Sequence, residues 1–376
     1  MAYDYRIIDV DQHLEHSPSV WQNYVPEEYR HFVAQKPGEE WNVSMAGIGS
    51  LWLNMQAGRC MSHEIKPLET APYDVAPGAH GDTNTRLKEM DLDSIDAALL
   101  FCGTPTGGNL PRIKHTGGRD AYLAVIRGFN NWLSDFCAPC PERLFGVALI
   151  PSTSIDDAIE ELRRVRKLPG IKSICNLGFP SGAGKPTEED DKFWAECLNL
   201  GMPITIHGSI SGPWWAQGIA DWGPREFALW NIGRIDSVTG GPLCTAELIL
   251  SGVFDRFPEL TFCIAECGAS WVPYLMCNMD HYFYKHRVWG GFTNLKRAPS
   301  EYIRRGHFMF NTIYDPAAIR MRDEIGLGNL VYSSDFPHCA SDWPESQMGI
   351  AAMFGNAPLE VRDAVLWKNA ARWLHL

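Results

Sequence analysis

The sequence predicts an α/β fold, a closed parallel (β/α)8 (TIM) barrel, on three observations. Eight short runs rich in Val, Ile, Leu and Phe recur along the chain, amphipathic segments separate them, and several runs end in Asp, Glu or His. Short apolar runs suit parallel strands buried on both faces, and parallel strands need helical crossovers between them. A doubly wound open sheet would use the same alternation. The count of eight and the polar strand ends favour closure into a barrel. No GxGxxG follows the first strand, which argues against dinucleotide binding.

The expected strands are residues 6–11, 97–102, 145–150, 171–177, 203–207, 261–266, 307–312 and 330–335. A helix over 84–94 follows the capping pair Asp82-Thr83. In 121–136, Tyr122, Val125, Ile126, Phe129, Trp132, Leu133 and Phe136 keep the spacing of one helix face. A helix over 155–167 follows Ser154, carries Asp156 and Asp157 in its first turn and ends in a basic cluster, a polarity that suits the helix dipole. Another over 188–200 follows Thr187 and stops at Gly201. Helices with less distinct ends are expected over 243–254, 270–286, 316–325 and 359–374.

The chain has 376 residues, more than the roughly 100–200 usual for one domain. Two segments interrupt the alternation, 14–82 after the first strand and 208–242 after the fifth. Without them the length is close to the roughly 250 residues typical of a barrel, so 1–376 reads as a single domain with two inserts over its active face. The inserts hold Trp21, Trp41, Trp52, Trp214, Trp215, Trp222 and Trp230, half of the 14 tryptophans. Such aromatic content argues against disorder. It suits either an aromatic-walled pocket or packing within the insert or at a subunit interface, and a homodimer would combine the two. Trp214 is a candidate pocket wall, and Arg225 and Arg234 are candidates to bind a substrate carboxylate.

The balance of 33 basic and 45 acidic residues, net charge −12, argues against a nucleic-acid partner. No stretch approaches the roughly 18–20 apolar residues of a membrane span. The opening Met1-Ala2-Tyr3-Asp4-Tyr5-Arg6 lacks the form of a signal peptide. The eleven cysteines then read as free, mostly buried thiols of a cytoplasmic protein. Cys137 and Cys140 have redox or zinc spacing but no second pair, and read as structural.

Barrel active sites form where the strands end. Asp11 and His13 lie two apart near the end of the first strand and so point to one side. His207 ends the fifth, Glu266 the sixth, and Asp335 the eighth, with His338 just beyond. Taken singly, each has a structural alternative: a turn cap, a hydrogen-bonded core histidine, the start of a loop. Together, Asp11, His13, His207 and Asp335 form a ligand set for one divalent metal ion. Mixed nitrogen and oxygen ligation suits Zn²⁺ foremost, and Mn²⁺, Fe²⁺ or Co²⁺ also.

The segments 7–13 (IIDVDQH), 90–96 (MDLDSID), 206–208 (IHG), 251–258 (SGVFDRFP) and 333–338 (SSDFPH) span nearly the whole chain in order. With them the chain resembles the amidohydrolase superfamily. The similar branch is the amidohydrolase-related one, which includes aminocarboxymuconate-semialdehyde decarboxylase and related aromatic-acid decarboxylases. The resemblance implies metal ligation by Asp11, His13 and His207, with Asp335 a ligand or a base. The chain departs from it by opening Asp-x-His where many relatives have His-x-His. It also departs by carrying Glu266 where the decarboxylases have a histidine beside the reacting centre. A carboxylate there repels a substrate carboxylate unless it is protonated or paired. No lysine ends the fourth strand, where Asn176-Leu177-Gly178 stands, so one metal is expected rather than two.

The leading expectation is a metal-dependent hydrolase acting on an amide, ester, lactone or C–C bond of a small cyclic or aromatic molecule. Asp335 would be general base, with Glu266 or His338 delivering the proton. His338 reads equally as a fastener of the eighth-strand loop, and Glu15 and His16 read as loop fasteners. The alternatives are a non-oxidative decarboxylase of an aromatic acid and a catalytically inactive barrel used for binding.

Overall fold

The computed structural model describes residues 5–16, 18–33, 82–208, 210, 240–292, 295–338 and 340–376. Eight parallel strands follow one another around a single sheet in sequence order. They are β1 (Ile8–Leu14), β2 (Ala97–Cys102), β3 (Leu144–Ile150), β4 (Ile171–Asn176), β5 (Ile204–His207), β6 (Phe262–Ala265), β7 (Phe308–Thr312) and β8 (Leu330–Tyr332). The ring closes where β1 meets the residues after β8: a parallel bridge joins Gln12 to Phe336. Asp335 N–H donates to Asp11 O at 2.9 Å, and His13 N–H donates to Phe336 O at 2.6 Å. The barrel predicted from the alternation is the observed fold.

Strand side chains such as Val147, Leu149, Ile174, Ile206, Ile264, Phe308 and Phe310 are fully buried. Burying each contributes roughly 1.5–3 kcal/mol relative to leaving it in water. The strands therefore make a filled interior that leaves only their C-terminal ends for chemistry.

Between the strands run α1 (Thr83–Leu92), α2 (Leu110–Cys137), α3 (Ile155–Val165), α4 (Asp191–Leu200), α5 (Gly241–Leu250) and α6 (Val272–His286). The Asp82 side chain accepts from Thr85 N, that of Ser154 from Asp157 N, and Gly201 takes the left-handed conformation that ends α4. No helix among the described residues is long and apolar enough to cross a membrane.

Several boundaries differ from the sequence expectation for identifiable reasons. β1 runs on to Leu14, because a register shift between Asp9 and Gln12 lets His13 and Leu14 keep pairing with Phe101 and Cys102. β6 stops short because Glu266 has φ of +61°, a region in which a strand cannot continue, and β8 ends at Tyr332, three residues before left-handed Asp335. α2 begins well before residue 121; its first turns lack an apolar stripe, and Gly118 is non-helical inside it. The helix expected over 243–254 is broken by left-handed Gly252, and 316–325 is split into Pro316–Arg320 and Arg322–Ile325. A π-helical turn, Ala364–Lys368, interrupts 359–374. Ser346–Phe354 was not expected, being apolar almost throughout.

Most of both inserts, and with them Trp214, Arg225 and Arg234, lies outside the described residues. The described part of the first insert forms two 3-10 turns, Pro18–Tyr24 and Glu27–Phe32. Trp21 there is buried, its ring 5.7 Å from that of Phe129 on α2. This one insert tryptophan thus packs the core. The described cysteines are all free thiols. Burial holds the thiols of both Cys137 and Cys140 above their ordinary range, so neither is a poised thiolate.

The end of β2 is shaped to admit the chain leaving β1. A Cβ on Gly103 would collide with Leu14 O and lie 2.8 Å from Glu15 Cα, both on the main chain. Gly103→Ala is therefore expected to destabilise the fold by about 1–3 kcal/mol, as overpacking does. The urea unfolding midpoint measures this, and an unchanged midpoint would contradict it.

Candidate metal centre

Carboxylates and imidazoles converge at the C-terminal mouth of the barrel. Asp11 and His13 come from β1, His207 from the end of β5, Glu266 from the residue after β6, and Asp335 from the closing segment after β8. Asp11 and Asp335 are fully buried, and His13 and Glu266 are only 4% and 7% exposed. His13 Nε2 lies 3.3 Å from Asp11 Oδ1, 3.4 Å from Asp335 Oδ1 and 3.1 Å from His207 Nε2. His207 Nε2 lies 3.4 Å from Asp11 Oδ1 and 3.2 Å from Glu266 Oε2. Within both Asp11–His13–His207 and His13–Glu266–Asp335, one donor atom per residue falls inside a 4.8 Å circle.

The local structure explains why these atoms face one another. His13 Nδ1 is 3.0 Å from the Cys102 carbonyl at the end of β2. A carbonyl only accepts, so Nδ1 carries the proton and the Nε2 lone pair of the neutral ring faces the cluster. The Phe101 ring packs near both imidazoles, with centroids 5.9 Å from His13 and 5.0 Å from His207. Glu266 and Asp335 are the two cluster residues with left-handed backbone, a strain that persists where surrounding structure demands it.

The seam between β1 and the end of β8 is tied by Asp9. Its buried carboxylate accepts from Ser334 N at 3.0 Å, Ser334 Oγ at 2.5 Å, Gln12 Nε2 at 2.9 Å and Asp11 N at 3.1 Å. Burial raises the Asp9 carboxyl to about 7 against the pull of those hydrogen bonds. From α1, the fully buried Arg86 donates to His13 O at 2.7 Å and Gln12 Oε1 at 3.3 Å, with its guanidinium 4.9 Å from the Phe336 ring centroid. Sequence reading missed both residues. The signal for Arg86 was present: it shares the inward face of α1 with Met90, a place for an apolar residue.

The donor set fits a divalent cation. Among the described residues neither carboxylate oxygen of Asp11 has a hydrogen-bond partner, although both are buried. Buried acceptors crowded in this way need protons or a metal among them. With protons in that role, burial opposes charge on His13 and His207, but the neighbouring carboxylates outweigh it and hold both imidazoles above their ordinary range. Burial likewise pushes Asp11 up, but the two histidines win and hold it at about 2. Two groups of residues could hold the ion, Asp11 with His13 and His207, and His13 with Glu266 and Asp335.

His338 belongs to a third group of possible ligands, with His13 and Glu15. Its Nδ1 contacts Asp335 Oδ1 at 2.8 Å and its Nε2 contacts Glu15 Oε1 at 3.0 Å. His16 is buried against the rings of Trp132 and Phe136, away from the cluster. His281 is exposed and His286 stacks on Tyr282.

Because Arg86 grips the strand end that presents His13, Arg86→Met removes a buried cation from its acceptors at nearly constant length. Expected is a loss of about 3 kcal/mol, the lower range for breaking a buried charged contact, read from the urea midpoint. A change below about 0.5 kcal/mol would show that Arg86 does not hold the seam.

The site can now be set beside known proteins. Residues 72–376 match the amidohydrolase family. Gamma-resorcylate decarboxylase of a Rhizobium species is 27% identical over 281 residues, which cover 69% of this chain and 79% of that protein. The 2-amino-3-carboxymuconate-6-semialdehyde decarboxylase of Dictyostelium discoideum is 26% identical over 263 residues, covering 68% and 67%. In fold the chain is similar to 5-carboxyvanillate decarboxylase of Novosphingobium aromaticivorans, solved with manganese and 4-hydroxy-3-methoxy-5-nitrobenzoic acid. That likeness has a TM-score of 0.67 at 17% identity and covers 99% of this chain and 96% of the other. These matches agree with the branch that the strand-end motifs resemble, and the chain belongs to the amidohydrolase family of enzymes.

Proposed function

We propose a hydrolase with one divalent metal ion, zinc foremost, acting on a small cyclic or aromatic substrate. The observation that carries this reading is the pairing of two carboxylates around the imidazoles, Asp335 3.4 Å from His13 Nε2 and Glu266 3.2 Å from His207 Nε2. Such a pair supplies a base and an acid at one site. A bound divalent ion polarises a substrate oxygen and lowers the pKa of a water. The side chains do the rest: Asp335 takes the proton from the attacking water, and that proton is delivered to the leaving group through Glu266. Trp214, Arg225 and Arg234 are proposed to wall the substrate and, for an acidic one, to pair its carboxylate.

A second reading, a non-oxidative carboxy-lyase, is favoured by the relatives named above from Rhizobium and Dictyostelium discoideum, both decarboxylases. On that reading Glu266 would protonate the ring carbon as CO₂ leaves. The crowd of carboxylates formed by Asp11, Glu15, Glu266 and Asp335 weighs against an anionic substrate unless the ion and Arg225 or Arg234 offset it.

A panel of aromatic amides, esters, lactones and acids separates the two by product. Ring-opened or cleaved product without CO₂ supports hydrolysis, and CO₂ release supports the lyase. Asp335→Asn, assayed at saturating divalent cation, is expected to lower turnover at least about 10²-fold; unchanged turnover would remove Asp335 as base. Glu266→His should raise CO₂ release relative to hydrolysis, and the reverse would count against the role given to Glu266.

Metal uptake by the metal-free chain has its own signature. His13 and His207 sit above their ordinary range, so binding must expel protons and tighten as pH rises. Adding Zn²⁺ to weakly buffered protein near pH 7 should acidify the solution. Uptake without proton release would contradict this protonation pattern.

A further inference from the structure

Behind the converging donors stands a second row of buried groups. Glu15 is the residue after β1 and is 6% exposed. His338 lies three residues past Asp335 on the closing loop. Its ring joins the two acids through opposite nitrogens, Nε2 to Glu15 at 3.0 Å and Nδ1 to Asp335 at 2.8 Å. The same ring lies against His13, with centroids 4.2 Å apart and planes at 31°. The Asp335 oxygen that meets His338 is the one 3.4 Å from His13 Nε2. His338 is thus held at both ring nitrogens and on one face.

Burying the Glu15 carboxylate carries a desolvation cost that a neutral residue would avoid, and the contact with His338 offsets it. The backbone also makes room for this acid. A Cβ on Gly103 would lie 2.7 Å from Glu15 Oε1, so glycine at the end of β2 leaves the carboxylate its place.

We propose that Glu15 is a positioning residue for the metal centre. It holds the His338 ring with Nδ1 on Asp335 Oδ1, and His338 in turn fixes the rotation of the Asp335 carboxylate toward His13 and Asp11. Affinity for a divalent cation then depends on a residue that is not itself a ligand. The proposal rests on the metal-site reading above and adds to it a named outer layer.

The test is titration of Mn²⁺ into the metal-free full-length chain against a chromophoric chelator, with urea midpoints to confirm folding. Glu15→Leu is expected to weaken Mn²⁺ binding about 10-fold or more, the range found when partners behind a metal ligand are removed. Glu15→Gln keeps an oxygen that accepts from His338 Nε2–H, so it should retain most of the affinity and carries the comparison if Glu15→Leu does not fold. Glu15→Leu combined with His338→Gln should bind no more weakly than His338→Gln alone, because Glu15 acts through that ring.

Additive losses would overturn the proposal, as would unchanged binding in Glu15→Leu or equal losses in the Leu and Gln variants. So would a wild-type stoichiometry of two ions falling to one in Glu15→Leu, which would make Glu15 a ligand. A wild-type chain that takes up no Mn²⁺ would overturn the metal-site reading and this proposal with it, whereas wild-type uptake with unaltered variants overturns only the proposal.

Discussion

Everything at the mouth of this barrel depends on one junction, the hydrogen-bonded seam between β1 and the residues after β8. A parallel sheet has two edges until its first and last strands meet. Here they meet through Asp335 N–H on Asp11 O, His13 N–H on Phe336 O, and the Asp9 carboxylate on Ser334. Residues more than 300 positions apart in sequence thereby become neighbours. The same bonds set the heights of Asp11, His13 and Asp335, so barrel closure and assembly of the cluster are one event.

The seam also gathers like charge. Asp9, Asp11, Glu15, Glu266 and Asp335 are all buried within one end of the barrel. Buried carboxylates are tolerated when paired or hydrogen-bonded, and each has a distinct solution: Asp9 takes main-chain and hydroxyl donors, Asp335 and Glu15 share His338, and Glu266 faces His207. Asp11 is the one of the five with both carboxylate oxygens buried and without a hydrogen bond among the described residues, and it faces two imidazoles. A folded protein that keeps such a group has found another use for it, and a cation is the chemically simplest one.

Much of this was legible in the sequence. Eight apolar runs gave eight strands because strands buried on both faces leave little choice of residue. The cluster was legible because its members sit at the ends of those runs, where an Asp or His has no packing reason to be. Other features were hidden by the locality of sequence signals. The left-handed backbone of Glu266 and Asp335 leaves no mark in residue type. Asp9 looked like one acid among several, and its role appears only when Ser334 arrives from the far end of the chain. Arg86 broke the apolar face of α1, a signal that periodicity averages away. His338 read equally as fastener or proton donor because its partner Glu15 lies on a different strand end.

The bond from His13 Nδ1 to the Cys102 carbonyl has a genetic consequence. Where a side chain fixes the tautomer of a histidine, a single codon change can undo it. Here a main-chain oxygen does so, and every amino acid at position 102 supplies that oxygen. The proton on His13 is therefore specified by the pairing of β1 with β2 rather than by any residue's identity. Drift at position 102 leaves it intact, and only a slip in strand register would erase it.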